Sequence, residues 1–120
     1  MNGGKVLLDT NAVLYLLGGK LETSALPAGK FFISFITELE LLSYPLLTQS
    51  DERVIKEFLK EIDIININPE IKKLAISFRK GYGLKLPDAI VCATSLFLEA
   101  SLVTRDKNLT KVKELTILVP

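Results

Sequence analysis

The chain has 120 residues, of which 48% are hydrophobic, and a net charge of only +1. This length and apolar content predict one domain, residues 1–120, with a full hydrophobic core. The sequence has no histidine, which excludes histidine bases, histidine metal ligands and Ser-His-Asp triads, and its single cysteine excludes cysteine-based zinc sites. Any chemistry must therefore depend on carboxylates, hydroxyls, lysines or a metal ion bound by oxygen.

Charge is divided unevenly along the sequence. Residues 1–71 carry six Lys/Arg and ten Asp/Glu, a net charge of −4, whereas residues 72–120 carry nine and four, a net charge of +5. This asymmetry favours a polyanionic partner for the second half, although ordinary solvated faces explain it equally well.

The sequence also indicates a compartment. The lone Cys92 lies in an apolar run and is expected in the core, which suits a reducing, cytoplasmic environment. The first predicted strand follows the N-terminus too closely to leave room for a signal peptide. No apolar run reaches the roughly 20 residues that cross a bilayer, so no membrane association is expected.

Predicted strands alternate with predicted helices along the chain. Short apolar segments predict strands at residues 6–8, 31–34, 64–67, 101–104 and 116–119. Amphipathic or apolar segments predict helices at residues 12–17, 36–47, 51–62, 69–80 and 87–100, with a turn or short helix at 106–111. Ser50 is the expected cap of the 51–62 helix. Such alternation is typical of an α/β fold with a parallel sheet and right-handed crossovers.

Three aspartates lie at the ends of predicted elements. Asp9 ends the first strand, in a strand-to-helix turn, and Asp106 repeats this arrangement after the fourth strand. Ligands of open α/β sheets bind at the carboxyl ends of the strands, so a carboxylate there needs a cation, a donor or a metal ion. Asp88 is expected in the first turn of a buried helix, where the helix dipole favours a negative charge.

The segment ITELELL carries two glutamates, which lie about 200° apart on a helix. Glu40 is predicted to lie beside an inward stripe formed with Ile36 and Leu39, and Glu38 to face solvent. Each of the four acids also has an ordinary structural explanation, such as a turn, a cap or a boundary position.

The combination of acids predicts a metal site. If the first and fourth strands are neighbours, Asp9, Glu40, Asp88 and Asp106 converge, and their mutual repulsion raises some pKa values or requires a cation. Ligation by oxygen alone favours Mg²⁺ or Mn²⁺. Such an ion can activate water and neutralise charge on a phosphodiester, which predicts hydrolysis of a phosphate ester.

Four segments, LLDTNAVLYLL, ISFITELELL, KLPDAIVCATSL and LVTRDKNL, resemble the PIN domain in this order and over nearly the whole chain. The resemblance is strongest to the VapC-type toxin ribonucleases of bacterial and archaeal toxin–antitoxin pairs. It implies a three-layer α/β/α sandwich with a central parallel sheet of about five strands. It also implies a Mg²⁺- or Mn²⁺-dependent endoribonuclease that acts on single-stranded or looped RNA.

The resemblance implies a role for each site residue. Asp9 and Asp88 would ligate the metal most directly, with Glu40 and Asp106 completing the cluster through water or a second ion. The resemblance and the helical-face argument both select Glu40 rather than Glu38. Hydrogen bonds that position the carboxylates are expected from Asn11 and Thr104.

The residues that follow the last acid differ from those of many PIN-domain relatives. Lys107, Asn108 and Leu109 follow Asp106, where many relatives carry a further acid or an aromatic residue, which leaves the number of metal ions open. Candidate contacts for RNA phosphates are Lys85, Arg105 and Lys107, although solvent-facing roles explain these side chains at least as well.

The resemblance also implies partners, namely a second copy in a homodimer and a cognate VapB-like antitoxin whose peptide covers the site. Candidate apolar contact residues are Leu14, Leu17, Leu42, Val54 and Phe58, although such stripes are more often core. Two alternatives to a toxin remain open. One is a housekeeping PIN nuclease in RNA processing, and the other is a non-catalytic α/β binding module whose acids hold a cation or a basic peptide.

Overall fold

The computed structural model describes residues 4–120, in which a five-stranded parallel sheet is covered by helices on both faces. The strands are β1 (Gly4–Leu8), β2 (Gly29–Ser34), β3 (Asp63–Ile65), β4 (Ser101–Val103) and β5 (Thr116–Leu118). The helices are α1 (Thr10–Leu17), α2 (Phe35–Leu42), α3 (Gln49–Glu61), α4 (Pro69–Tyr82), α5 (Leu86–Leu98) and α6 (Lys107–Thr110), with a short 3₁₀ helix at Thr23–Ala25. The predicted α/β/α sandwich is confirmed.

The strand order is β3-β2-β1-β4-β5, which places β1 at the centre of the sheet. Leu7 of β1 lies opposite Phe32 of β2 on one side and Leu102 of β4 on the other. The chain builds one half of the sheet outward from β1 and then crosses over to begin the other half at β4. The boundary between β1 and β4 is therefore the topological switch point, where open α/β sheets form a crevice at the carboxyl ends of their strands.

The continuous apolar run of β1 is explained by two hydrophobic cores, one on each face of the sheet. Leu7 belongs to the core that packs against α4, α5 and α6, whereas Val6 and Leu8 belong to the core that packs against α1, α2 and α3. Alternate residues of a strand point to opposite faces, so a central parallel strand must be apolar on both.

Helix α5 is the most deeply buried helix of the fold. Residues Ala89 to Ser95 are all buried, as the sequence predicted, and Cys92 is a buried free thiol. Within residues 4–120, no helix is both long enough and apolar enough to cross a membrane.

One helix boundary and one helix cap differ from prediction. Helix α2 ends at Leu42 rather than residue 47, because Pro45 cannot continue a helix and restricts the residue before it. Helix α3 begins at Gln49, since Thr48 and Asp51 cap it reciprocally, so the prediction of Ser50 as its cap was wrong. The other boundaries agree to within about two residues.

The orientation of α2 also corrects a prediction. Its buried residues are Thr37 and Leu41, whereas Leu39 is 56% exposed, Glu40 is exposed and Glu38 is half-buried. Of the predicted inward stripe, Ile36 is partly buried against the core, but the prediction for Leu39 was wrong, because α2 buries the side that carries Thr37 and Leu41. Glu40 instead lies beside Leu41, at the rim of the buried face.

Candidate active site

The crevice at the carboxyl ends of β1 and β4 contains a cavity of about 120 Å³. All four acids singled out from the sequence line it: Asp9, Glu40, Asp88 and Asp106. They come from four separate elements, namely the ends of β1 and β4, helix α2 and the first turn of α5. The other lining residues are Thr10, Asn11, Tyr44, Pro87, Val91 and Leu109.

Asp9 is the most buried of the four acids, with 7% of its surface exposed. It caps α1, where its Oδ1 accepts a hydrogen bond from the backbone N–H of Ala12 at 2.8 Å. Burial raises the pKa of Asp9, while the Thr104 hydroxyl and the Ala12 N–H oppose the rise and the charges of Asp106 and Glu40 add to it. The fold therefore holds a carboxylate where its charge is unfavourable.

A single buried hydroxyl joins the two acids that follow β1 and β4. Thr104 is fully buried, and its hydroxyl opposes the rise in the pKa of Asp9. Its oxygen also accepts the backbone N–H of Asp106 at 3.0 Å. Asp106 in turn caps α6, where its Oδ1 accepts from the N–H of Asn108 at 2.9 Å. These contacts are consistent with the positioning role predicted for Thr104.

Asp88 is half-buried in the first turn of α5. Burial raises the pKa of Asp88, the charges of Asp106, Glu40 and Asp9 raise it further, and the nearby cation Lys85 opposes them. The net rise means that burial and repulsion outweigh the favourable position at a helix N-terminus.

Cys92 lies one turn further along α5. Burial, with the charges of Asp88, Asp106 and Asp9, raises the pKa of Cys92 to about 12. The thiol is therefore protonated at neutral pH and is not a nucleophile.

Glu40 is held by a chain of two threonine hydroxyls. Thr10 Oγ1 lies 2.5 Å from Glu40 Oε1 and 3.0 Å from Thr37 Oγ1, and Thr37 is fully buried. Thr10 has only one hydroxyl proton and the carboxylate is the stronger acceptor, so Thr37 donates to Thr10 and Thr10 donates to Glu40. The sequence reasoning missed both threonines. The only available signal was that Thr10 follows Asp9 directly and that Thr37 precedes Glu40 by one helical turn.

Tyr44 is a further lining residue that the sequence reasoning missed. It lies in the loop that replaces the expected last turns of α2, and 41% of it is exposed. Burial raises the pKa of Tyr44 and the charge of Glu40 adds to the rise. Its hydroxyl is therefore a hydrogen-bond donor at the cavity at neutral pH.

The remaining predicted residues lie around the cavity. Asn11 lines it and is exposed, and within residues 4–120 its side chain makes no hydrogen bond to a carboxylate. Lys85 and Lys107 are exposed beside acidic positions. The guanidinium of Arg105 stacks 4.9 Å from the centre of the Tyr15 ring, and its Nε donates to the Pro120 carbonyl at 3.0 Å.

The predicted apolar contact residues divide into two groups. Leu14, Leu17 and Phe58 are partly buried against the core of α1, α2 and α3, whereas Leu42 and Val54 are exposed. Phe58 also lines a larger, mainly apolar cavity of about 750 Å³, which none of the four clustered acids lines.

The cavity suits a hydrated divalent ion. Its ionisable donors are carboxylates, the ligands that Mg²⁺ and Mn²⁺ prefer. Within residues 4–120, no three Asp, Glu or Cys side chains are grouped so that they could hold one ion directly. Mg²⁺ usually binds through one or two carboxylates and keeps several waters, and the cavity of about 120 Å³ has room for roughly four waters.

A family model identifies this arrangement. The model of the PIN domain matches residues 6–115. The chain belongs to the PIN domain family. PIN domains are nucleases that generally use divalent metal ions, which agrees with the oxygen-only cavity of this member.

Solved structures support the same fold. A toxin–antitoxin complex from Klebsiella pneumoniae is similar to this PIN domain with 30% identity and a TM-score of 0.80, covering 95% of this chain and 96% of that chain. VapBC-1 from nontypeable Haemophilus influenzae has 23% identity and a TM-score of 0.77, with 95% and 96% covered. VapBC2 from Rickettsia felis, bound to a promoter DNA fragment, has 18% identity and a TM-score of 0.80, with 95% and 97% covered. A comparison with curated protein sequences finds no significant match.

We expect Asp88→Asn to raise the melting temperature at neutral pH in metal-free buffer. Because the pKa of Asp88 is raised in the folded state, its ionised form destabilises that state. The gain should vanish below about pH 4, where the carboxyl group is protonated in both the folded and the unfolded chain. Calorimetry of both proteins across this pH range measures the effect.

Asp63→Asn is the matched control, because Asp63 is exposed and forms an ion pair with Lys30 at 3.3 Å. The melting temperature of this variant should equal that of the wild type or be slightly lower. A melting temperature of Asp88→Asn below that of the wild type at neutral pH would contradict the electrostatic description of the cavity.

Proposed function

We propose that this PIN domain is a metal-dependent endoribonuclease and the toxin of a toxin–antitoxin pair. The observation that carries the proposal is the convergence of four carboxylates in one oxygen-only cavity at the switch point between β1 and β4. Carboxylates that repel one another destabilise the fold unless a cation neutralises them. Such clusters therefore favour a cation-binding role over a purely structural one.

Asp9 and Asp88 would hold Mg²⁺ or Mn²⁺ most directly, as the resemblance to the PIN family implies, and both line the cavity. Glu40 and Asp106 would complete the coordination through water or a second ion. When bound, the ion lowers the pKa of a water and neutralises charge on a phosphodiester. Thr104 would hold Asp9 and Asp106 in register, with Asn11 as a further polar contact at the cavity.

The side chains at the mouth of the cavity would act on water and on the substrate. Glu40 is exposed but fixed by Thr10, so it can accept a hydrogen bond from the attacking water and orient it. The protonated hydroxyl of Tyr44 can donate to a phosphate oxygen. Lys85 and Lys107 can contact adjacent phosphates, whereas Arg105 already contacts Tyr15 and Pro120.

The size of the cavity favours cleavage within a polymer. Its volume of about 120 Å³ is well below the roughly 300 Å³ at which ligand pockets begin. The cavity is therefore smaller than a typical pocket for a whole nucleotide. A phosphodiester of a strand lying across the mouth could reach the acids while its bases and sugars remain outside, which supports the proposal of an endonuclease.

The toxin assignment is supported by the similarity to the Klebsiella pneumoniae toxin–antitoxin complex, at 30% identity over 95% of this chain. The proposed partners are therefore RNA as the substrate, a VapB-like antitoxin and a second copy in a homodimer. A housekeeping PIN nuclease would have the same cavity, and a small antitoxin gene immediately upstream would favour the toxin. The proposed toxin would act in the cytoplasm.

Removal of the clustered acids should abolish cleavage. We expect Asp88→Asn and Glu40→Gln each to reduce Mg²⁺- or Mn²⁺-dependent cleavage of a mixed RNA pool by roughly 100-fold or more, equivalent to about 3 kcal/mol. Glu38→Gln is the matched control, since Glu38 is also on α2 but does not line the cavity. Sequencing of the cleaved RNA ends measures the activity. Full activity of both acid variants, or no metal-dependent cleavage by highly purified wild type, would contradict the proposal, and the latter would favour a binding module.

The threonine that holds Glu40 should affect the rate more than RNA binding. We expect Thr10→Val to lower kcat about tenfold with a nearly unchanged KM, because a hydrogen bond to a charged group contributes roughly 1.5–3 kcal/mol. Thr10→Ser restores a hydroxyl and should restore kcat. Thr116→Val, on an exposed strand position, is the control for loss of a threonine hydroxyl. A Thr10→Val protein with wild-type kcat would show that Glu40 does not need this contact.

A further inference from the structure

The outer face of α4 is cationic. At 100° per residue, its four basic side chains fall within an arc of about 120°, on the side away from the buried Ile71, Ala75 and Phe78. All four are exposed: Lys72, Lys73, Arg79 and Lys80. Ile76 shares the arc and is 57% exposed, whereas Glu70, the one acid of α4, lies outside it.

These cations differ from those of α3. On α3, Lys56 pairs with Glu52 at 3.0 Å and Lys60 pairs with Glu57 at 3.2 Å, which is the pattern of a solvated helix. Within residues 4–120, none of the four basic side chains of α4 forms an ion pair. Their charges are therefore not neutralised by a carboxylate partner within this part of the chain.

Stability of the helix explains only part of this face. Arg79 and Lys80 lie in the last turn of α4, where cations interact favourably with the helix dipole. Lys72 and Lys73 lie near the other end of α4, where the dipole provides no such stabilisation. The helix therefore carries more positive charge than its own stability requires.

A short connection joins the cationic helix α4 to the acid cavity. Gly83 ends α4 in a left-handed conformation, and Lys85, two residues later, lies beside Asp88 and opposes the rise of its pKa. The five residues from Lys80 to Lys85 span at most about 18 Å. Lys72 and Lys80 are about 12 Å apart along the helix axis. The C-terminal end of α4 is therefore tied within this distance of Lys85, beside the cavity.

We infer that the outer face of α4, together with Lys85, binds the sugar–phosphate backbone of the RNA strand that lies across the acid cavity. This inference rests on the proposed function. The cavity is small and its acids repel phosphates in the absence of a metal ion, so a surface outside it is needed to attract the strand. Lysine and arginine contacts to phosphates position a strand without reading its sequence.

The test compares two triple variants of equal charge and composition. One removes cations from α4 (Lys72→Gln, Lys73→Gln and Arg79→Gln), and the other removes cations from α3 (Arg53→Gln, Lys56→Gln and Lys60→Gln). Both are made in the full chain with Asp9→Asn to prevent cleavage. The probe is a fluorescein-labelled single-stranded RNA of roughly 16 nucleotides, whose fluorescence anisotropy is followed at increasing KCl concentration without divalent ions.

The α4 variant should bind the RNA about tenfold more weakly at moderate salt. The slope of log affinity against log salt should fall by about 0.7 for each phosphate that a lysine or arginine no longer neutralises. The α3 variant should keep both the affinity and the slope. Lys72→Arg with Lys73→Arg retains the charge and should also keep the affinity, which separates loss of charge from damage to the helix. Equal weakening of RNA binding in both triple variants, or none in either, would overturn the inference.

The same two triple variants with Asp9 intact separate this inference from the proposed function. In cleavage assays, the α4 variant should raise KM for RNA and leave kcat unchanged. Cleavage with an unchanged KM would overturn the role of α4 while leaving the nuclease proposal in place. RNA binding that depends on α4, in a wild-type protein that does not cleave, would support the surface and overturn the nuclease proposal.

Discussion

Repulsion among four carboxylates at the carboxyl ends of β1 and β4 is the constraint on which the site depends. Burial, the largest cause, and neighbouring negative charges raise the pKa values of Asp9 and Asp88. The groups that offset this repulsion are mostly neutral donors: backbone N–H groups and the hydroxyls of Thr10 and Thr104. Neutral donors orient a carboxylate without cancelling its charge, which is why we propose that a cation from solution completes the arrangement.

Two of these acids are positioned by helix capping, which the fold also requires for its helices. Asp9 and Asp106 are both helix N-caps, and each uses one carboxylate oxygen, Oδ1, to accept a backbone N–H. The same residue thus begins a helix and brings a negative charge to the cavity. The strand order then brings the two acids together, because β1 and β4 are neighbours and their carboxyl ends meet at one crevice. The fold thus keeps carboxylates whose ionisation is unfavourable, as functional sites commonly do.

Much of the architecture could be predicted from the sequence because its determinants are local. The apolar run of β1 and the alternation of strands and helices indicated a two-faced parallel sheet. The convergence of the acids was conditional, since crossover topology permits β1 and β4 to be neighbours without requiring it. The prediction that Leu39 lies on the inward face of α2 was wrong, because the face that a short helix buries is set by its tertiary packing. The links from Thr10 to Glu40 and from Arg105 to Tyr15 and Pro120 join distant segments, which no local pattern indicates.

The most direct test of the claim that the clustered acids bind a metal ion is a titration of the purified full chain with Mn²⁺. Electron paramagnetic resonance measures the concentration of free Mn²⁺ at each step. The wild type should bind Mn²⁺, and its melting temperature should rise with the Mn²⁺ concentration as mass action requires. Asp9→Asn should lose most of this affinity while remaining folded. A wild-type protein that leaves Mn²⁺ free up to millimolar concentrations, or an Asp9→Asn variant that binds it equally well, would contradict the claim that the clustered acids form a metal site.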